Sequence, residues 1–267
     1  MTETSRPTRP TIDQIRQVCQ PPEVRSRRSA EHWVADLYLR RWSPYLTRVL
    51  LRTPISPNGV TGIMIATGAA TAFALLIPGM PGVLMAACLG QLQMLWDCCD
   101  GEVARWQQRF SASGVFLDQV GHFTAEGLIP IALGIRASGW PGEPILGSPW
   151  PLVGLVLSVL VLFNKSLNEM VHAARSASGM DRLDDSAEIA APRATGPRKL
   201  RQLTRYFPFQ RAYHSVELTI IALAAGTLDA LAGNLAPTRF ALAALAVLAV
   251  PAVVGHVMAI LTSSRLR

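Results

Sequence analysis

The sequence has little charge for its length. Only 16% of its 267 residues are Asp, Glu, Lys or Arg, whereas 50% are hydrophobic. Soluble domains carry charge on about a quarter of their residues. The apolar residues are clustered, and the last long run, from Phe240 to Leu261, contains almost nothing polar except Gly255 and His256. This scarcity of charge favours an integral membrane protein over a soluble helical bundle.

Cysteine is scarce as well. The four cysteines, Cys19, Cys88, Cys98 and Cys99, show the spacing of neither a disulfide framework nor a zinc site. The net charge is +7, but no aromatic residues are interleaved with the basic ones, as they would be in a nucleic-acid-binding surface. The positive charge instead indicates attraction to anionic lipid headgroups, so we expect membrane lipids and no nucleic acid as partners.

Six segments are long and apolar enough to cross a membrane, since a helix through the hydrocarbon core needs about 20 mainly apolar residues. They cover residues 58–79, 82–104, 113–135, 149–171, 213–233 and 237–262. The sequence therefore predicts an all-α integral membrane protein with six transmembrane helices.

The arginines and lysines predict the orientation, because cytoplasmic loops collect basic residues. Ten of the 25 precede Asn58, two lie between the second and third spans, eight lie between Arg175 and Arg211, and two end the chain. The opposite side receives only Arg136 and Arg239. We therefore expect both termini in the cytoplasm, with the protein in the cell inner membrane.

Three regions follow from this pattern. Residues 1–29 are polar and are predicted to be a mobile N-terminal tail. Residues 30–55 have the spacing of a cytoplasmic amphipathic helix that lies in the membrane interface, with an ordinary packed helix as the alternative; Pro44 is expected to kink it or begin a turn. Residues 56–265 form the transmembrane domain, with a cytoplasmic loop at about 175–211.

Four polar side chains at fixed spacing interrupt the second and third spans. They are Asp97, Asp100, Asp118 and His122. Asp97 and Asp100 share one helical face, and Asp118 and His122 share another. If the two spans pack antiparallel, these faces meet, and the converging carboxylates then need a divalent cation to offset their repulsion. Oxygen ligands favour Mg²⁺ or Mn²⁺, so a metal site open to the cytoplasm is predicted.

The full pattern resembles the signature of the CDP-alcohol phosphotransferase family. The matching residues are Asp97, Asp100, Gly101, Ala104 and Arg105, followed after a spacer by Gly114 and Asp118. Upstream, Pro57, Asn58 and Thr61 resemble the segment that opens the first span in that family. The likeness covers roughly residues 30–265.

The resemblance implies an enzyme in which an alcohol attacks the β-phosphate of a CDP-linked donor and CMP leaves. It implies two divalent ions held by Asp97, Asp100 and Asp118, and a homodimer. It further implies a CDP pocket, and the residues that it assigns there are Asn58, Thr61, Asp97, Gly101, Ala104, Arg105 and Gly114. Phospholipid or inositol-type phosphodiester synthesis is the expected context.

The last signature position departs from the family, because His122 replaces an aspartate there. A histidine can act as general base on the acceptor hydroxyl together with Asp118, it can bind the metal, or it can mark a lost activity. Glu126, one turn further on, either supplies the missing carboxylate or pairs with a neighbouring helix.

An acceptor that carries a phosphate, such as a sugar phosphate, needs a basic subsite. Lys165 is the leading candidate, because an intramembrane lysine needs a partner or a path to water, and Asn168 and Glu169 are expected to pair with it. Arg205 and Arg211 are the next candidates. A CDP-alcohol hydrolase and a catalytically degenerate membrane binding homologue remain as alternative functions.

Overall fold

The computed structural model describes residues 6–7, 9–21, 35–181 and 209–266, and this part of the chain is helical without strands. The first two helices in this part of the chain are short, α1 (Ile12–Cys19) and α2 (Arg40–Leu50), and a π-helical turn at Ala35–Leu39 leads into α2. Six long helices follow among the described residues. They are α3 (Pro57–Leu75), α4 (Gly79–Gln107), α5 (Ala112–Ser138), α6 (Trp150–Ala177), α7 (Ser215–Ala232) and α8 (Ala236–Thr262).

Five of these helices, α3, α4, α6, α7 and α8, are long and apolar enough to cross a membrane. The predicted all-α membrane class is thereby confirmed. The exception, α5, carries Asp118, His122, Glu126 and Arg136, and these polar side chains lower its apolar content. The count of six spans therefore stays a prediction, although α5 has the length to cross a bilayer.

The helix ends near the acidic motif have clear local causes. Ser56 caps α3 by accepting a hydrogen bond from the Gly59 amide over 3.1 Å, and Ser111 caps α5 by accepting from the Gly114 amide over 3.0 Å. Helix α4 ends at Gln108, which adopts a left-handed conformation at φ 53°. A short turn therefore reverses the chain between α4 and α5, and the two motif segments lie at the same end of the bundle.

Helix α3 packs extensively against both α4 and α5, whereas α4 and α5 make little direct contact with each other. Gly68 of α3 lies against Ala125 of α5, and Gly121 of α5 leaves room for the Met64 side chain. The sequence reasoning considered direct antiparallel packing of these two spans. Because α3 lies against both instead, the backbones of α4 and α5 stay apart, and the space between them is where their polar side chains meet.

At the other end of α4, two arginines bind main-chain carbonyls. Arg136 donates to the carbonyls of Ile77 at 2.9 Å and Gly79 at 2.8 Å, and Arg239 donates to that of Ala137 at 2.9 Å. These are the two cations that the sequence assigned to the non-cytoplasmic side. Arg239 thus binds a carbonyl in the last turn of α5, where carbonyls lack partners within the helix, and Arg136 stabilises the turn between α3 and α4.

The N-terminal region differs from the predicted mobile tail in its described part. Ile12–Cys19 forms α1, whose Ile15 and Cys19 side chains are fully buried against Trp106 of α4. Two apolar anchors on one face of a capped helix are enough to dock it, a pattern that the surrounding polar residues obscure in the sequence.

Helix α2 exposes apolar side chains on one face and buries polar ones on the other. Trp42, Tyr45 and Val49 are exposed, whereas Ser43 and Thr47 are buried against the bundle. Pro44 lies inside α2 and does not end it. Its exposed aromatic face is consistent with an interfacial helix, and the cytoplasmic interfacial placement remains a prediction.

Candidate active site

Three predicted site residues converge between α4 and α5. His122 Nε2 lies 3.1 Å from Asp97 Oδ1 and 3.7 Å from Asp118 Oδ1. One ligand atom from each of the three residues can be chosen so that all lie within 4.8 Å of one another. None is fully buried, so a ligand can reach them. Two carboxylates and an imidazole are ligands that fit a divalent cation such as Mg²⁺ or Mn²⁺.

Asp100 lies beside this group rather than in it. Its side chain is only 9% exposed, and its Oδ2 accepts a hydrogen bond from the Thr61 hydroxyl over 2.8 Å. Asp100 follows Asp97 by three residues on the same face of α4, but α3 covers it. The structure thus brings Thr61 to the acidic motif, and the two residues join α3 to α4 at the predicted donor pocket.

The other residues predicted to bind the CDP donor lie near the start of α3, the end of α4 and the start of α5. A Cβ built on Gly101 would lie 3.1 Å from Nη1 and 3.2 Å from Nη2 of Arg105, so the guanidinium lies directly over the glycine. Asn58 donates to the Ser113 hydroxyl over 3.1 Å, and a Cβ on Gly114 would lie 3.1 Å from Asn58 Oδ1. Both glycines therefore allow a polar side chain to lie close against the helix backbone. Ala104 is partly buried on the same stretch of α4.

Glu126 is paired with neighbouring helices, which was one of the two alternatives for it. Its Oε2 lies 2.9 Å from Lys165 Nζ of α6, and its Oε1 lies 3.0 Å from His214 Nδ1 at the start of α7. The predicted local partners of Lys165, Asn168 and Glu169, are replaced by a carboxylate from another helix. This group of Glu126, Lys165 and His214 lies one helical turn beyond His122 along α5.

Of the two remaining candidates for binding the acceptor, the structure describes Arg211. Arg211 is partly buried in the short helical segment Phe209–Tyr213 that precedes α7. Arg205 lies outside the described residues. Arg211 lies three residues before His214, whose ring contacts Glu126.

The family model for CDP-alcohol phosphatidyltransferase matches residues 54–189, just over half of the chain. The chain belongs to this family. The matched range contains Asp97, Asp100, Asp118, His122 and the predicted donor residues, and it excludes α1, α2, α7 and α8. No curated protein matches the chain significantly. The family recognised from the signature residues is therefore confirmed over residues 54–189. The family's use of divalent metals agrees with the possible metal ligands Asp97, Asp118 and His122.

Sequence reasoning missed Glu102, which lies inside the family signature. Its side chain is fully buried. Oε1 accepts from Gln20 Nε2 at 2.7 Å and from the Ser43 hydroxyl at 2.5 Å, and Oε2 accepts from the Thr47 hydroxyl at 2.6 Å. Three donors from two other segments thus stabilise one buried carboxylate. The available signal was Ser43 and Thr47, spaced four residues apart on the apparent interfacial helix.

The N-terminal segment also reaches the signature arginine. Arg105 Nε donates to the main-chain carbonyl of Cys19 over 2.7 Å. Arg6 donates to the carbonyls of Arg105 and Trp106. Burial, followed in importance by the nearby Glu102 charge, raises the pKa of the Cys19 thiol to about 12. Arg6 and Cys19 therefore contact the C-terminal end of α4, where the first half of the signature ends.

Proposed function

We propose that the protein is a membrane transferase that moves a substituted phosphoryl group from a CDP-alcohol donor to an alcohol acceptor and releases CMP. The observation that carries the proposal is the convergence of Asp97, Asp118 and His122, with Arg105 and Asp100 on the same helix as Asp97. Phosphoryl transfer depends mainly on positioning and charge neutralisation, and this group of side chains is suited to both.

Asp97, Asp100, Asp118 and His122 are the proposed ligands of two divalent ions, Mg²⁺ or Mn²⁺. Such ions would neutralise the donor diphosphate and stabilise the entering and leaving oxygens. Asp97, Asp118 and His122 already lie within ligand spacing of one another. Asp100 holds its carboxylate towards Thr61, so its proposed role is to complete the site on the α3 side.

Arg105 is proposed to bind a phosphate oxygen of the donor, since its planar guanidinium matches phosphate geometry. Gly101 leaves room beneath that guanidinium, and Gly114 leaves room beside Asn58. We assign the CDP moiety to the space bounded by Asn58, Thr61, Gly101, Ala104, Arg105 and Gly114. Asn58 and Thr61 supply polar groups from α3, which packs against both motif helices.

His122 is proposed to receive the proton of the acceptor hydroxyl as the new oxygen–phosphorus bond forms and the bond to CMP breaks. Its Nε2 faces the two carboxylates of Asp97 and Asp118, which hold the ring and stabilise the protonated form. Nε2 has a single lone pair, so His122 acts either as this base or as a metal ligand through that nitrogen, and Asp118 would receive the proton in the second case. Asp118 is the alternative base, because it is the most exposed of the three side chains.

The acceptor is proposed to be an alcohol that carries a phosphate, bound near Lys165 and Arg211, with Arg205 as a further candidate. Lys165 is 19% exposed and is paired with Glu126 one helical turn beyond His122, so an acceptor phosphate would share this cation with the carboxylate. The product would be a phospholipid or an inositol-type phosphodiester. We further propose a homodimer in the inner membrane with a cytoplasmic active site, and the arginine distribution supports this orientation.

The test is CMP release by the detergent-purified protein from CDP-diacylglycerol and CDP-inositol, with Mg²⁺ or Mn²⁺ and a panel of alcohol and sugar-phosphate acceptors. Asp118→Asn and His122→Asn should each lower the rate at least about a hundredfold, whereas His122→Asp, which restores the family residue, should retain activity. Glu143→Gln, an exposed carboxylate in the turn after α5, is the matched control.

Release of CMP without any acceptor would replace the transferase by a CDP-alcohol hydrolase. Metal-dependent binding of CDP without any CMP release across the panel would support the binding homologue instead.

A further inference from the structure

The N-terminal helix α1 is a built element rather than a loose extension. The Thr11 hydroxyl accepts from the Gln14 amide over 3.3 Å, and the Gln14 side chain accepts from the Thr11 amide over 2.9 Å. This reciprocal capping box stabilises the first turn. Ile15 and Cys19 then bury one face of the helix against Trp106. Together, the cap and the two anchors dock α1 at the C-terminal end of α4.

The docked helix presents its last carbonyls to the signature arginine. The carbonyl groups at a helix C-terminus lack partners within the helix and carry partial negative charge. The carbonyl of Cys19, the last residue of α1, accepts from Arg105 Nε over 2.7 Å. Because the guanidinium is planar and rigid, this one bond fixes the direction of the whole group. Nη1 and Nη2 then lie over Gly101, on the side of α4 that carries Asp97 and Asp100.

Further contacts hold the same region from both sides. Cys19 Sγ donates to the Glu102 carbonyl over 3.3 Å, and Gln20 Nε2 donates to Glu102 Oε1 over 2.7 Å. Arg6 donates to the Arg105 and Trp106 carbonyls and lies with its guanidinium 5.6 Å from the Trp106 ring centre. Arg6, Cys19 and Gln20 therefore all form hydrogen bonds with the segment of α4 from Glu102 to Trp106.

We propose that α1 is a positioning element of the donor site: it orients Arg105 through the Cys19 carbonyl, so that Nη1 and Nη2 address the donor diphosphate. This inference rests on the proposed donor-binding role of Arg105. It adds a segment outside the family match at residues 54–189 to the working site. With Nε occupied by α1, Arg105 binds phosphate end-on through its two Nη groups.

The decisive experiment is Ile15→Asp, which places a charge in the fully buried anchor position of α1. We expect the KM for the CDP donor to rise about ten-fold, the size of one charge-assisted hydrogen bond, with kcat and the acceptor KM nearly unchanged. Asp13→Ala is the matched control, because Asp13 lies on the exposed face of the same helix. The conservative variant Ile15→Leu should retain the wild-type KM.

A double-variant comparison distinguishes a loss of Arg105 orientation from a general loss of structure. Arg105→Lys should weaken donor binding strongly in the wild type and much less in the Ile15→Asp background, because the guanidinium is already misdirected there. Alkylation of Cys19, buried only while α1 is docked, reports whether the helix has left its site. Release of α1 with an unchanged donor KM, or fully additive effects of the two substitutions, would overturn the proposal.

Direct binding keeps this test separate from the proposed reaction. If the wild type releases no CMP, the transferase assignment fails, and the Kd for CDP with Mg²⁺ replaces KM in the same set of variants. A Kd that is the same for wild type and Ile15→Asp then overturns the role of α1. A Kd raised in Ile15→Asp but not in the control Asp13→Ala upholds it.

Discussion

Lys165 Nζ lies 2.9 Å from Glu126 Oε2, and this contact joins α6 to α5 one helical turn beyond His122. Glu126 is almost completely buried, and His214 at the start of α7 contacts its other oxygen at 3.0 Å. Three helices therefore share one buried carboxylate directly beneath the acidic cluster. An arrangement of this kind stabilises the protein only while its charges remain matched.

Lys165→Met should lower the thermal unfolding midpoint of the detergent-purified protein, because it removes the lysine that balances the Glu126 charge and leaves the contact with His214. Removing one member of a buried pair costs about 3–5 kcal/mol. The double variant Lys165→Met/Glu126→Gln should recover much of this loss, since no uncompensated charge remains. Glu169→Gln, an exposed carboxylate on the same helix, should change nothing. A double variant less stable than Lys165→Met would contradict the pairing.

The local features of the site were predictable from spacing. Asp118 and His122 share a helical face because they are four residues apart, and the family signature identified Arg105 and the two glycines. The long helices follow from apolar runs, and Ser56 and Ser111 are recognisable caps. Each of these features depends on residues within a few turns of one another.

The contacts between distant segments were not predictable in the same way. Glu126 meets a lysine 39 residues away and a histidine 88 residues away, and no local pattern selects those partners. The docking of α1 depends on two buried residues in polar sequence, which alone resembles a tail. The separation of α4 from α5 depends on how α3 packs against both. These contacts are determined by the packing of the whole bundle rather than by helix periodicity.

Glu102→Val should destabilise the junction of α1, α2 and α4. The substitution removes the carboxylate that accepts from the Ser43 and Thr47 hydroxyls and one of three acceptors of Gln20 Nε2, and each buried group left unsatisfied costs about 1–3 kcal/mol. The unfolding midpoint should fall, and Cys19 should become accessible to alkylation because α1 loses the Gln20 contact. Glu143→Gln serves as the exposed comparison. If stability is unchanged in Glu102→Val, the three hydrogen bonds contribute nothing net.

Gly154→Ala should disturb the contact between α5 and α6. A Cβ at this position would lie 2.5 Å from the Pro130 carbonyl oxygen and 2.9 Å from the Gly134 Cα, both of which are backbone atoms that cannot move aside independently. Overpacking of this kind costs about 1–3 kcal/mol, so the thermal unfolding midpoint should fall. Gly62→Ala is the control, since a Cβ there meets nothing within 4 Å. Equal midpoints for the two variants would contradict the close approach.

The buried thiol of Cys19 predicts a dependence of stability on pH. Burial raises its pKa from 9.0 to about 12 in the folded protein. Below pH 9.0 the thiol is mostly protonated in both states, so its environment favours neither by ionisation. Between pH 9.0 and about 12 the unfolded chain loses this proton while the folded protein keeps it, and stability therefore falls as pH rises, by up to about 1.4 kcal/mol per pH unit.

The measurement is the unfolding midpoint of wild type and Cys19→Ala at several values from pH 8 to pH 10. The wild type should lose more stability over this range than the variant, because the variant lacks the titrating thiol. Alkylation at pH 9 should be slow at Cys19 in the folded protein, where only about a thousandth of it is thiolate, and should accelerate when Ile15→Asp releases α1. Rapid alkylation of Cys19 in the wild type, or parallel pH profiles for the two proteins, would show that this thiol is not held in a buried site.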